Sequence, residues 1–306
     1  MISNLDPASQ LFLANVNRIE QRLAEANREI SSGLKISQPS DAPDQISPLL
    51  QLRAEQQHNQ QIESNLTVAQ TGAQTADQTL ASAIQLMDRA VTLGTQGASS
   101  TMDASGYQSL AQEVQSIQQQ MVSYSQTTVQ GRYIFGGDQD GTPTYAYDAA
   151  APDGVDQLQT VTATRQIEDP AGGSFTAGET ATDIFDQRNA DGTPAAGNVF
   201  AALSNLQAAL LSQDPQSVAD AVDSVKSAAD HLNSAEAFYG NVETRIQNAQ
   251  TFATQYDTQL QTQLSQEEDA DVAAEATELT QAQTQLQAAF ETQARMPRES
   301  LFNYLG

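Results

Sequence analysis

The sequence predicts a mainly α protein: a long coiled-coil helical rod formed by its N- and C-terminal segments, with a small β-rich domain inserted between them. Three observations predict it. Apolar residues recur in steps of four and three at both ends of the chain, a second seven-residue repeat runs through its first third, and between residues 131 and 198 the helical spacing gives way to aromatic and Thr/Val-rich segments broken by glycine, proline and aspartate.

From Leu5 to Ile30 the apolar positions are Leu5, Phe12, Val16, Ile19, Leu23, Ala26 and Ile30, the seam of a coiled coil. Gly33 and Pro39 end this helix, and Ser37 to Pro48, with Pro39, Pro43 and Pro48, reads as an extended connector. Ser47 followed by Pro48 suits a helix start, because serine can accept from an orphan amide and proline loses nothing at the first helical position. In the helix that follows, Leu66, Ala73, Leu80 and Met87 recur every seven residues, and so do Ala69, Ala76, Ala83 and Ala90. Running to about Gly94, it would be roughly 70 Å long. Gly94 to Gly106 reads as a loop, after which Leu110, Val114, Ile117, Met121 and Tyr124 predict a third helix, antiparallel to the second.

At Gly131 the pattern changes. Tyr133 to Phe135, Tyr145, Tyr147, the segment from Gln159 to Ile167 and Phe175-Thr176 read as short strands, with turns at 136–143, 169–173 and 189–197. Helical spacing returns from Val199 to Leu211, continues through Val218, Val222, Val225, Ala229 and Leu232, and ends in a tract carrying Phe252, Tyr256, Leu260, Leu264, Val272, Leu279, Ala282, Leu286 and Ala289 up to Met296-Pro297. The expected division is terminal coiled-coil helices at 1–42 and 268–306, a central helical bundle at 43–130 and 199–267, and the β-rich domain at 131–198.

Composition excludes several functions. Thirteen basic residues against 38 acidic ones give a formal charge of -25, which repels nucleic acid. No window holds the roughly 18 apolar residues a membrane span needs. Cysteine is absent, so disulfides and thiolate chemistry are absent with it. Met1 to Gln10 lack the basic and apolar regions of a signal peptide, so export is expected without a cleaved leader.

His58 and His231 stand apart on predicted helices and read as solvated surface, and Asp138, Asp140 and Gly141 lack the closing glutamate of a calcium loop and read as a turn. The run Glu267-Glu268-Asp269 with Asp271 reads as a solvated helix face or start. No catalytic residue, cofactor or metal is expected. What remains is the pair of terminal seams, which no globular body covers. Phe12, Val16, Ile19, Leu23, Ile30, Leu279 and Leu286 are therefore the candidate assembly interface, on helices only marginally stable alone and ordering fully on assembly.

Particular segments resemble a known family. Ser32-Gly33-Leu34-Lys35-Ile36 followed by Pro39-Ser40-Asp41-Ala42-Pro43 is similar to the segment after the first helix of flagellins and flagellar hook-filament junction proteins. Gly131-Arg132-Tyr133-Ile134-Phe135-Gly136-Gly137 with Thr142-Pro143, and the closing Leu301-Phe302-Asn303-Tyr304-Leu305, resemble the junction members of this flagellin-like family. The last of these adds Leu301, Phe302 and Leu305 to the candidate interface.

The resemblance implies a structural subunit whose terminal helices form the inner layer of a tubular assembly, whose central helices surround it and whose β domain projects outward. It further implies a ring of identical subunits between a preceding hook-associated protein and flagellin. Export would be through the flagellar type III apparatus, with a chaperone on the C-terminal region. The alternatives are a filament-forming flagellin and, from another class, a secreted coiled-coil adhesin. Gln293 to Glu299 departs from the family pattern, because Pro297 breaks the last helix and two arginines sit in an acidic chain.

Overall fold

Local chemistry sets where each long helix begins and ends in the computed structural model, which describes residues 7–99, 102–161 and 163–295. Helix α1 (Pro7–Ser32) stops at Gly33, whose φ of +72° is left-handed and whose amide donates to the Glu29 carbonyl at 2.8 Å. Helix α2 (Ile46–Gly97) buries both seven-residue repeats, from Leu66 to Met87 and from Ala69 to Ala90. Helix α3 (Ala104–Ser125) is capped by Asp103, which accepts from the Gly106 amide at 2.8 Å, and folds back along α2, where Arg89 donates to Glu113.

The expected loop from Gly94 to Gly106 is corrected at its start, because residues 94–97 are helical. Gly94 and Gly97 each continue one of the two repeats, and here glycine serves close approach rather than a turn. A Cβ on Gly94 would lie 2.3 Å from Val222 Cγ2, and one on Gly97 would lie 2.3 Å from Leu210 Cδ2.

The insert is three separate two-stranded antiparallel sheets: β1 (Thr128–Val129) with β2 (Arg132–Tyr133), β3 (Tyr145–Tyr147) with β4 (Val155–Gln157), and β5 (Gln166–Glu168) with β6 (Ser174–Thr176). The first hairpin turns on Gln130 and Gly131, both at positive φ, the pair a two-residue turn of this twist requires. A short helix, α4 (Ala181–Phe185), closed by the Thr180/Asp183 capping box, follows the strands. Helix α5 (Val199–Ser212) starts at Asn198, helix α6 (Pro215–Glu268) runs antiparallel to α2, and α7 (Val272–Arg295) completes the described chain.

Residues 59–255 make one compact unit; the described residues up to His58 and those from Tyr256 to Arg295 make the other. Within the first, α5 packs on α3, and aromatic rings tie the insert to the helices. Phe135 meets Phe185 edge-on at 5.5 Å, Phe185 stacks on Phe200 at 5.9 Å, and Tyr145 lies 5.2 Å from Phe200. Beneath them Asp186 is fully buried and fully used: it accepts from Asn198 at 2.7 Å, from the Tyr145 hydroxyl at 3.0 Å and from Arg188 at 3.0 Å. A buried carboxylate is tolerated only on such terms.

Gly94→Ala and Gly97→Ala should each lower the unfolding free energy by about 1–3 kcal/mol through overpacking. Gly72→Ala, on the same helix with nothing within 4 Å of its added methyl, should raise it by about 0.5–1 kcal/mol. Thermal denaturation of the three variants checks this, and equal destabilisation by all three would refute the close-approach reading.

Candidate assembly interface

In the unit built from the chain ends, α1 and α7 pack antiparallel. Phe12 meets Phe290 edge-on at 6.2 Å, and Arg22 donates to Glu278 and, at 3.2 Å, to Gln285. At the opposite end of this hairpin the backbone itself forms a clasp. Leu34 bridges Asp269 in antiparallel fashion, the Ala270 amide donates to the Gly33 carbonyl at 3.0 Å, and the Lys35 amide donates to the Glu268 carbonyl at 2.6 Å. The turn leaving the first helix is thereby bonded to the turn entering the last.

The connector after the clasp is organised by one carboxylate. Asp41 accepts from the Gln38 amide at 2.8 Å and from the amide and hydroxyl of Ser37, each at 3.1 Å, with Arg28 at 3.5 Å. These bonds, the Gln38 amide first, hold the Asp41 carboxyl below the usual carboxylate range.

The acidic run, read as a solvated helix face or start, divides: its end does start a helix, but Glu268 is not solvated. Glu268 is buried and pairs with Arg53 at 2.7 Å, while Asp271 accepts from the amides of Ala273 and Ala274 and so caps α7. Its burial followed from the clasp, which no local pattern announces.

The predicted interface residues fall along the seam of this hairpin. Val16 is buried, as are Ala26 and Ala282; Phe12, Ile19, Leu23, Ile30, Leu279 and Leu286 are partly buried. Leu301, Phe302 and Leu305 lie outside the described residues. Spacing alone missed large apolar side chains beside the seam, Leu11 and Leu13 on α1 and Phe290 on α7, which are 65%, 46% and 51% exposed; Val272, which spacing did include in the last helical tract, is 49% exposed. Leu11 and Leu13 flank the seam residue Phe12, and apolar residues there were a readable signal for a second neighbour. Burying such a side chain in a contact is worth about 1.5–3 kcal/mol.

Among the described residues no group of three or more His, Cys, Asp or Glu could hold a metal ion, and no helix is long and apolar enough to cross a membrane. Asp140 is occupied by two guanidiniums, Arg132 at 2.9 Å and Arg165 at 2.6 Å. His231, expected on the solvated surface, is partly buried and donates from Nε2 to the Asp183 carbonyl at 2.7 Å.

The family model of the bacterial flagellin N-terminal helical region matches residues 2–140, and that of the bacterial flagellin C-terminal helical region matches residues 222–305. The chain belongs to the flagellin family. Its fold is shared with a Vibrio parahaemolyticus protein described as flagellar hook-associated, at 16% identity and a TM-score of 0.63 over 75% of this chain and 100% of that one. It is shared too with FlgL of Bacillus cereus, at 18% identity and a TM-score of 0.54 over 72% and 100% of the two chains. A further likeness is to FlgL of Xanthomonas campestris, at 16% identity and a TM-score of 0.50 over 70% and 98%. No curated protein sequence matches the chain. This chain is thus a flagellin-like protein whose fold is that of the hook-associated structures it resembles.

Because folding lowers the Asp41 pKa, the carboxylate supports the connector above its unfolded value, and that support fades as pH falls through the depressed folded value. Asp41→Asn should remove this dependence and speed hydrogen exchange at the Ser37 and Gln38 amides at neutral pH. Unchanged exchange at both would show that the carboxylate does not order the connector.

Proposed function

We propose that this protein forms the junction ring between the flagellar hook and its filament, outside the cell, and provides the seat on which the first flagellin subunits assemble. The observation that carries this reading is the fold it shares with FlgL over essentially the full length of those chains. The geometry supports it. The α1–α7 hairpin leaves Leu11, Leu13, Val272 and the outer side of Phe290 about half exposed or more, which serves a subunit whose terminal helices are completed by neighbours. The partners that follow are identical copies in the ring, a preceding hook-associated protein, flagellin, and an export chaperone on the C-terminal region. Export runs through the flagellar type III apparatus, and the role is structural rather than enzymatic.

The purified chain, followed by analytical ultracentrifugation and electron microscopy, should stay small alone. Added to hook-basal bodies lacking their own junction protein, it should cap the hook ends and then permit added flagellin to polymerise. Leu11→Ser combined with Phe290→Ser should reduce capping at least tenfold while leaving the helical circular dichroism unchanged. Long filaments grown unaided would make the chain a filament flagellin, and indifference to hook ends would overturn the junction reading.

A further inference from the structure

The clasp end of the α1–α7 hairpin holds a solvent-open groove edged by carboxylates from three directions. Glu25 and Glu29 come from α1, Glu275 and Glu278 from α7, and Asp269 and Asp271 from the turn before α7. The nearby cations do not balance them. Arg22 is taken by Glu278 and Arg28 by Asp41, and Lys35 is exposed and makes no ion pair among the described residues.

Glu29 differs from the other acids. It is only 8% exposed, it lines the groove, and its carboxylate has no hydrogen bond or ion pair among the described residues. Burial first, then the charges of Glu275, Glu25 and Asp41 against the single opposing Arg28, raise its pKa above the ordinary carboxylate value. An acid whose side chain is largely covered, and whose unpaired carboxylate opens onto a groove, is placed to take a cation from outside its own subunit.

We propose that this groove is a docking slot for an arginine or lysine side chain of a neighbouring subunit, whose cation pairs with Glu29 and Glu275 when the hairpin packs into the assembly. The inference rests on the hairpin being the assembly interface. Charge sign selects the occupant class, since six carboxylates repel any anion. The acids do not converge on a point that could hold a metal ion, whereas a long basic side chain could lay its methylene stem past Ala26 and Ala270, which also line the groove, and present its head to the carboxylates. Cation and proton compete for Glu29. Docking is strongest above the raised pKa and is lost as pH falls through it, and an engaged cation draws that pKa back down.

The test uses the full chain with 13C-labelled glutamate, titrated with acetyl-arginine-amide while the Glu29 and Glu275 carboxyl signals are followed by NMR. Both should shift together and saturate, and the midpoint of the Glu29 pH titration should fall when the probe is present. In the hook-capping assay Glu29→Gln should weaken capping at least tenfold and blunt its sensitivity to salt, while the variant's melting temperature stays equal to or above the wild type's. A merely structural role would instead lower that temperature. Absence of any probe-induced shift at Glu29 overturns the slot whether or not hooks are capped, and so does saturation by magnesium or calcium at lower concentration than by arginine. Undiminished capping by Glu29→Gln also overturns it. A wild-type chain that binds the probe yet ignores hooks keeps the slot and sinks the junction reading.

Discussion

How near α2 lets its neighbours come is the constraint from which the central bundle follows. Its inward face is alanine at every second repeat position and glycine at the last of each repeat, so Val222, Leu206 and Leu210 press against bare backbone at Gly94 and Gly97. Glycine costs a helix about 1 kcal/mol relative to alanine, and two within four residues are tolerated because the contact they allow is worth more. That contact fixes α5. The N-cap of α5, Asn198, in turn donates to the buried Asp186, which gathers Tyr145 and Arg188 from the insert. The seating of the insert thus descends from two missing methyl groups on α2.

The unit made from the chain ends is held by different means. Along its α1–α7 hairpin the buried apolar side chains among the described residues are Val16, Ala26 and Ala282, and the other seam residues are only partly covered. What fixes the hairpin is backbone: the bridge of Leu34 with Asp269, the left-handed Gly33 that allows it, and the connector drawn around Asp41. Backbone bonds specify register without consuming apolar surface. Leu11, Leu13, Val272 and Phe290 therefore stay available to neighbours while the two helices are already in the correct alignment.

The helices were legible because a seven-residue repeat reports one face of one helix, a local quantity. Gly94 and Gly97 were misread as loop because glycine marks both a chain reversal and a close approach, and only partners more than a hundred residues away decide between them. The insert was legible as a region through its glycine, proline and aromatic residues, but its division into three two-residue and three-residue hairpins was not, since strands that short carry no periodicity. The site was half readable. Its seam followed from spacing, whereas the burial of Glu29 and Glu268 arises only when the two chain ends meet. A glutamate among polar neighbours otherwise reads as solvated surface.

Charge supplies the last constraint. A chain of formal charge -25 that packs against its own copies meets repulsion in any contact that brings acidic surfaces together. Screening confines that repulsion to about 8 Å at physiological salt, so the charge of the contacting helices decides the outcome rather than the total. In α1, Arg18, Arg22 and Arg28 balance Glu20, Glu25 and Glu29; in α7, Glu275, Glu278 and Glu291 face Arg295. The two helices together are nearly neutral, and the acidity lies in the rest of the chain. Such a distribution keeps free subunits apart through their acidic remainder and leaves the apolar flanks of the hairpin able to approach. The excess that persists among the described residues at the clasp end, around Glu29, is where the proposed slot would let a neighbour's positive charge add to the contact instead of merely offsetting a repulsion.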